Sequence, residues 1–261
     1  MHRETDVINL ESNQICPNKN ATHKIRNIIL KHAARLPDHA FHITSDLNWL
    51  RYLKQAELLK KIISPRSKVL DLGCGLGFTT ALLASYCEAV DIVGVDINRH
   101  SPWEELKDFG CDFCICDATS LPFLSESFEA IVSFGVIEHT ESEMKFLKEA
   151  NRSLQSGGYN ILFQLPNKYS FSEYLSKKMG LWHHERTYSG GDIREQFKIC
   201  GFDIMYMARE HVIPAQVHRV SRNLGNIFDQ NHHEIYKLDI ILSKTPLSLF
   251  SQDYMLISKK Q

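Results

Sequence analysis

The sequence predicts an α/β chain wound as a mostly parallel sheet with helices on both faces. Three observations carry this: an apolar run that breaks into a glycine turn, VLDLGCGLG (Val69 to Gly77); a regular alternation of strand-like and helix-like segments; and an ordinary composition, 43% hydrophobic and 23% charged over 261 residues. Strands and helices alternating at these lengths imply right-handed crossovers and a doubly wound architecture.

THKIRNIILKHAARLP carries a helical pattern (Ile25, Ile28, Ile29, Ala33, Leu36) stopped by Pro37. A second helix starts at Ser45 or Asp46, both good N-cap types, and runs towards Pro65 with Trp49, Leu50, Leu53, Leu58 and Ile62 inward. KVLDL is a strand, TTALLASY a short helix, DIVGVD the next strand, and SPWEELKDFG a helix closed by Gly110. DFCICD and EAIVSFGVI are strand-like; SEMKFLKEANRSLQSGG is an amphipathic helix ended by two glycines; YNILFQLP is a fifth strand. NKYSFSEYLSKKMGLWHHERTYSGG is long for a plain connection, and loops of that length in α/β enzymes are often functional. DIREQFKICGF is a helix, DIMYMARE a strand, residues 212–250 are irregular and partly helical, and DYMLISKK is terminal. Two strands so near the end predict an antiparallel edge on the parallel sheet. Residues 1–45 read as an N-terminal helical extension, and 46–261 as a single domain with insertions around 167–190 and 211–250.

Thirty basic against 31 acidic side chains leave a net charge of -1, without the basic footprint of a nucleic-acid binder. HRVSR (His218 to Arg222) reads as a solvated helix face. No apolar run approaches the ~18 residues of a membrane span, and MHRETDVINL lacks a signal layout. Seven cysteines without a disulfide-like framework fit a reducing compartment, so a cytoplasmic protein is expected. CDFCICD lacks a fourth ligand at metal spacing; Cys114 and Cys116 are expected on one face of a short buried strand, with no metal.

The glycine turn departs from the dinucleotide pattern G-x-G-x-x-G: Phe78 stands at the third position, the last glycine comes early at Gly77, and Asp71 precedes the first. Glycines there allow the backbone to approach a ligand, and the following helix points free N–H groups at it. Asp96 lies about 20 residues downstream, where a carboxylate reaches ribose hydroxyls. No G-K-[ST] follows, so the ligand carries a ribose and needs no polyphosphate.

VLDLGCGLG, VGVDIN, CDATSLPFLSESFEAIVSFGVIEHT and LQSGGYNILFQLPN together resemble the class I S-adenosylmethionine-dependent methyltransferases, best the type 11-like subgroup acting on small molecules. The resemblance covers residues 67–167 and implies a Rossmann-like seven-stranded sheet, mostly parallel with an antiparallel C-terminal strand. It implies that Asp71 and the backbone of Gly73, Cys74, Gly75 and Gly77 receive the methionine part of S-adenosyl-L-methionine. Asp96 would bind the ribose, Ile97 pack on the adenine, Asp117 and Ala118 read its amino edge, and Ser133 and Phe134 border the methyl group.

His139, in IEHT, sits where the family often places a histidine beside the acceptor, and histidine's ordinary pKa suits a general base. His183 and His184 in the extended segment are further candidates, with at most one facing the site. The segment SFGVIEH lacks the [DN]-P-P-[YF] pattern of base and glutamine methylation, which leaves a small-molecule, sugar or lipid-linked acceptor, O-methylated. A catalytically silent sensor of the same cofactor is the alternative. The sequence leaves acceptor and oligomeric state open. Asp96→Ala is expected to abolish cofactor binding in a calorimetric titration; near-normal affinity would remove the ribose assignment.

Overall fold

The computed structural model describes residues 19–33, 43–88, 90–214, 217 and 221–261. One sheet of seven strands organises them: β1 (Lys68–Leu72), β2 (Asp91–Asp96), β3 (Asp112–Ile115), β4 (Phe128–Phe134), β5 (Leu154–Pro166), β6 (Phe202–Glu210) and β7 (Asp253–Lys260). The spatial order is β3-β2-β1-β4-β5-β7-β6. Strands β1 to β5 pair in parallel, whereas β7 pairs antiparallel with both β5 and β6. The helices are α1 (Lys19–Ala33), α2 (Asp46–Ile62), α3 (Phe78–Tyr86), α4 (Trp103–Leu106), α5 (Glu143–Ser153), α6 (Phe171–Lys178), α7 (Gly190–Ile199), α8 (Arg222–Gln230) and α9 (His232–Ser243).

Side chains alternate across the strands and so build two cores. Val69, Ile92, Ala130, Val132, Ile161, Phe163 and Ile257 face α1, α2 and α3, where Ile25, Tyr52, Leu59, Ala81 and Leu82 are buried. Leu70, Leu72, Val95, Ile131, Leu162 and Leu256 face α5 and α7, meeting Phe146, Leu147, Ile193 and Phe197. Serine caps begin several helices: Ser45 accepts from the N–H of Asn48 and Ser142 from that of Lys145, and Ser189 forms a capping box with Asp192.

The seven-stranded, mostly parallel sheet with an antiparallel C-terminal strand is as expected: β7 is inserted between β5 and β6, its apolar residues buried on both sides while β6 is half-exposed. Two other sequence expectations are corrected. Helix α5 stops at Ser153 rather than at the two glycines. Leu154 is fully buried in the second core and starts β5 opposite Phe128; the pairing then jumps to Ala130 opposite Tyr159. Gly158 fills that irregularity, where a Cβ would come within 2.9 Å of the Gln155 carbonyl oxygen. Finally, β3 is an edge strand, so Cys114 and Cys116 are half-buried against the second core rather than enclosed.

Residues 218–220 of the HRVSR cluster lie outside the described residues, as do 1–18 and 34–42 of the N-terminal extension. Helix α1 packs on α3 and α4. No described helix is long and apolar enough to cross a membrane.

The C-terminal insertion is tied down by charge. Arg51 on α2 donates Nη2 to Asp239 of α9 at 2.8 Å and to the Ile213 carbonyl at 2.6 Å, and Asp239 accepts from the Ile213 N–H. Both side chains are 4% exposed, so removing one strands a buried charge. Asp239→Ala is expected to destabilise the protein by about 3–5 kcal/mol in urea unfolding; a loss of less than about 1 kcal/mol, the range of exposed pairs, would show that water reaches the pair.

Candidate functional site

The connections after β1 and β4 leave towards opposite faces of the sheet, α3 to the first core and α5 to the second. A crevice opens between them, where open α/β sheets hold ligands. It is a cleft of about 500 Å³, floored by Gly73 to Leu76 and by Phe134 and Gly135, and extending to Glu138, His184, His211 and Asp253.

The glycine turn is built for close approach. Gly73, Gly75 and Gly77 have φ of +71°, +50° and +83°. A Cβ on Gly75 would meet nothing within 4 Å and would project into open space at the cleft. Trp103, stacked on Phe113, donates its indole N–H to the Gly75 carbonyl and supports the turn from below. Asp71 is fully buried: Oδ2 accepts from the hydroxyls of Thr79 and Thr80 on α3, while Oδ1 has no partner among the described residues. Burial raises its pKa to about 6 against the pull of those two hydroxyls.

Asp96 ends β2 and accepts the Gly75 N–H on Oδ2 at 3.0 Å and the Asn98 N–H on Oδ1 at 2.9 Å. Burial opposes its charge, but the bonds from His100, Asn98 and Gly75 outweigh it and hold the carboxyl below its ordinary range. Ile97 is 66% exposed beside it, open to a flat ring. Asp117 is exposed and forms a local turn with Thr119, and Ala118 packs on the second core. Ser133 is buried with its hydroxyl unpartnered among the described residues; Phe134 stacks on Phe163 and lines the cleft.

Of the three candidate histidines, His139 and His184 reach the cleft. His183 is absent from that lining; its Nδ1 lies 3.1 Å from the Leu181 carbonyl. His184 donates Nδ1 to Glu173 at 2.9 Å, and its backbone N–H donates to the other Glu173 oxygen at 2.8 Å. Burial disfavours the His184 cation, yet Glu173, Glu138 and Asp253 raise its pKa. Glu138 is 6% exposed with neither oxygen hydrogen-bonded among the described residues, and burial raises its pKa to about 7.

Sequence reading passed over Glu138, Glu173, His211 and Asp253. The antiparallel insertion brings the last two together: the first residue of β7, Asp253, lies opposite both Pro166 and Glu210, so it shares an end of the sheet with the C-termini of β5 and β6. His211, just past β6, places Nδ1 2.9 and 3.0 Å from the two Asp253 oxygens. Gln164 and His211 both line the cleft at positive φ, +59° and +63°, a conformation unusual for their residue types and concentrated at functional sites. Glu138 stood in the quoted IEHT; the two pairings had no sequence signal, being 11 and 42 residues apart.

A methyltransferase-domain family model (Methyltransf_11) matches residues 70–162. Residues 70–162 are thus similar to a class I methyltransferase domain, a family whose cofactor is S-adenosylmethionine. The chain is 34% identical over 103 residues to the mouse (Mus musculus) protein named "Probable tRNA methyltransferase 9B", covering 38% of this chain and 22% of that one. It is 33% identical over 94 residues to the ubiquinone/menaquinone biosynthesis C-methyltransferase UbiE of Desulfotalea psychrophila, covering 35% and 38%. To the Arabidopsis thaliana 2-methyl-6-phytyl-1,4-hydroquinone methyltransferase it is 27% identical over 175 residues, covering 64% and 50%. The chain thus spans half or less of the length of these relatives. Among solved structures, the [4+2]-cyclase SpnF aligns at a TM-score of 0.58 and 16% identity over 81% of this chain and 80% of that one. The MccD protein aligns at 0.58 and 16% over 83% and 100%. At such identity the likeness is one of fold.

Folded Asp71 holds its proton more tightly than a carboxyl in the unfolded chain, whose pKa is near 3.8. The stability it contributes is therefore fully present below about pH 4 and is lost as pH rises through about 6. Asp71→Asn is expected to flatten stability across that window in urea unfolding without ligand. A pH dependence identical to that of the unaltered protein would show that Asp71 does not titrate there.

Proposed function

We propose that the protein transfers the methyl group of S-adenosylmethionine to oxygen of a small polar acceptor. The observation that supports this most is the continuity of the cleft: one cavity joins the glycine turn to an end lined with polar side chains, Arg51, Tyr52, Gln164, His184, His211, Gln252 and Asp253. Its volume, about 500 Å³, is that of a small-molecule site. The chain's net charge of -1 favours a small acceptor over nucleic acid, although one relative is named as a tRNA methyltransferase.

The residues present fit the cofactor. The Asp71 Oδ1, unpartnered among the described residues, suits an amino group, the open space at Gly75 leaves room for the methionine chain, and Asp96 closes the turn where a ribose would lie. Ile97 and Asp117 stand exposed for the adenine, with Ala118 next to Asp117, and in this reading Phe134 in the cleft wall, with Ser133 buried before it, borders the methyl group. Bound there, the cofactor supplies a methyl group on a sulfonium, already activated for in-line displacement.

The chain's remaining tasks are orientation, exclusion of water and removal of the acceptor's proton. The segments 167–190 and 211–250 cover the acceptor end. Asn167 joins them: it is fully buried and donates Nδ2 to the carbonyls of Leu249 and Ser251. His211 is the proton acceptor in this reading, chosen over His139, His183 and His184 because it is buried in the cleft wall and fixed by a carboxylate. Asp253 accepts a hydrogen bond from the Nδ1–H, which keeps that proton on Nδ1 and leaves Nε2 as the base. Burial and Arg51 disfavour its cation, but Asp253 and Glu210 raise its pKa above 6.5. A base must be neutral to act, so turnover rises with pH through a value above 6.5.

The test pairs calorimetric cofactor binding with transfer of methyl label from S-adenosylmethionine into fractionated host extract. Label in a small polar fraction is expected. His211→Gln is expected to keep cofactor binding and lower transfer by about 10²–10⁴-fold. Label in nucleic acid or lipid would refute the acceptor class, and cofactor binding with no transfer to any fraction would favour a sensor.

A further inference from the structure

Glu138, His139 and His184 remain without a task in that reaction. They form the wall of the cleft where the chain leaves β4, Glu138 and His139 on the single turn Ile137–His139 and His184 on the covering segment. Glu138 Oε1 lies 3.8 Å from His139 Nε2 and 3.9 Å from His184 Nε2. The three ligand atoms lie within 4.8 Å of one another. These separations are too long for hydrogen bonds, and both Glu138 oxygens are buried without one among the described residues. A buried carboxylate with no donor is costly unless a cation compensates it.

Glu173 supplies an independent sign. It holds the His184 ring through Nδ1 and the His184 backbone through its N–H, so the ring proton sits on Nδ1 and the Nε2 lone pair points away from Glu173 towards Glu138. A carboxylate behind an imidazole, fixing its tautomer and orientation, is the usual support of a metal-ligating histidine. Trp182 packs edge-on against the same ring at 4.6 Å between centroids and limits its rotation.

We propose that Glu138, His139 and His184 bind one divalent cation of the zinc class. Two imidazoles and one carboxylate suit that class, and they leave a coordination position open. Ligand bonds of about 2.0–2.1 Å in tetrahedral geometry set the ligand atoms about 3.4 Å apart. The two Glu138–histidine separations, 3.8 and 3.9 Å, close to that value by a movement of roughly half an ångström, and the side chain of His139, 54% exposed, has room to bring the two imidazoles together.

The cation site does not depend on the methyltransferase reading, but its use does. Glu138, His139 and His184 line the same cleft as Phe134 and Gly135, which border the methyl group in that reading, so the open position would face the acceptor. An acceptor hydroxyl bound there becomes more acidic. Its proton passes to His211 Nε2, its oxygen forms the new bond to the methyl carbon, and the carbon–sulfur bond breaks to leave neutral S-adenosylhomocysteine. The acceptor is thus a hydroxyl compound able to coordinate a metal, such as a phenol or vicinal diol.

The experiment is calorimetric titration of ZnCl2 into chelator-stripped full-length protein, repeated with MgCl2, with cofactor binding and thermal unfolding measured on the same samples. One equivalent of zinc is expected, weakened at least 100-fold by Glu138→Gln and by His184→Gln, and 10–100-fold by Glu173→Gln. Magnesium is expected not to compete. Asp253→Asn is the control, since the neighbouring cluster Glu210, His211 and Asp253 already engages its histidine nitrogen. No stoichiometric zinc, zinc unchanged in Glu138→Gln and His184→Gln, or zinc lost only in Asp253→Asn would each overturn the proposal. Zinc retained by a protein that fails to bind S-adenosylmethionine would refute the methyltransferase reading and leave the metal site standing.

Discussion

Helices α3 and α5 leave the neighbouring strands β1 and β4 towards opposite faces of the sheet, and everything at the site follows from that divergence. The divergence leaves a gap directly above the two strand ends, which α3 lines only with its first residues, Phe78 and Thr79. The gap is therefore a crevice walled by backbone: the glycine turn on one side and the Phe134–His139 segment on the other. Peptide groups at a strand end are fixed by the ladder below, so ligand groups meet donors and acceptors already held in place. The insertion of β7 extends the crevice. An antiparallel strand between β5 and β6 brings its first residues to the end where its neighbours finish, and so places Asp253 with Pro166 and His211 at the cleft.

The buried charges around this crevice divide by partnership. Arg51 and Asp239 satisfy one another and the backbone of Ile213, and their effect is to anchor α9 on α2. His211 and Asp253 form a second matched pair, facing the cavity. Asp71 and Glu138 are different: each keeps a buried oxygen without a donor among the described residues, and burial pushes each towards its neutral form, with pKa values of about 6 and about 7. A protein tolerates such groups only where other interactions over-determine the fold, and they cluster where a ligand supplies what the chain withholds.

How much of this the sequence could reveal depends on the range of the interaction. The glycine turn, the acids ending β2 and preceding Gly73, and the strand–helix rhythm are local patterns, legible in VLDLGCGLG and VGVDIN. The end of α5 was misplaced because glycines that serve a bulge in β5 look the same as glycines that stop a helix; burial of Leu154 decided between them. The insertion of β7 between β5 and β6 follows from the family resemblance rather than from local pattern, since a two-sided apolar strand at the end of a chain can be an edge or an insertion until its neighbours are known. His211 with Asp253, and His184 with Glu173, depend on tertiary contacts and have no local signature.

That division of range also limits what relatives can say about the acceptor. The family match ends at residue 162, and the glycine turn, Asp96, Asp117 and Phe134 all fall within it. Gln164, Glu173, His184, His211 and Asp253 all fall beyond it. Likeness over the matched stretch therefore speaks for the cofactor and not for the acceptor. The fold likeness to SpnF, a [4+2]-cyclase, makes the same point from structure: a shared sheet does not prescribe the reaction at its open end. The proposed acceptor rests instead on the cleft itself. Arg51, Gln164, His211, Gln252 and Asp253 line it, and a long hydrocarbon chain laid over them would leave hydrogen-bonding groups unpaired, which is the physical reason that proposal takes an acceptor with its own hydroxyl groups.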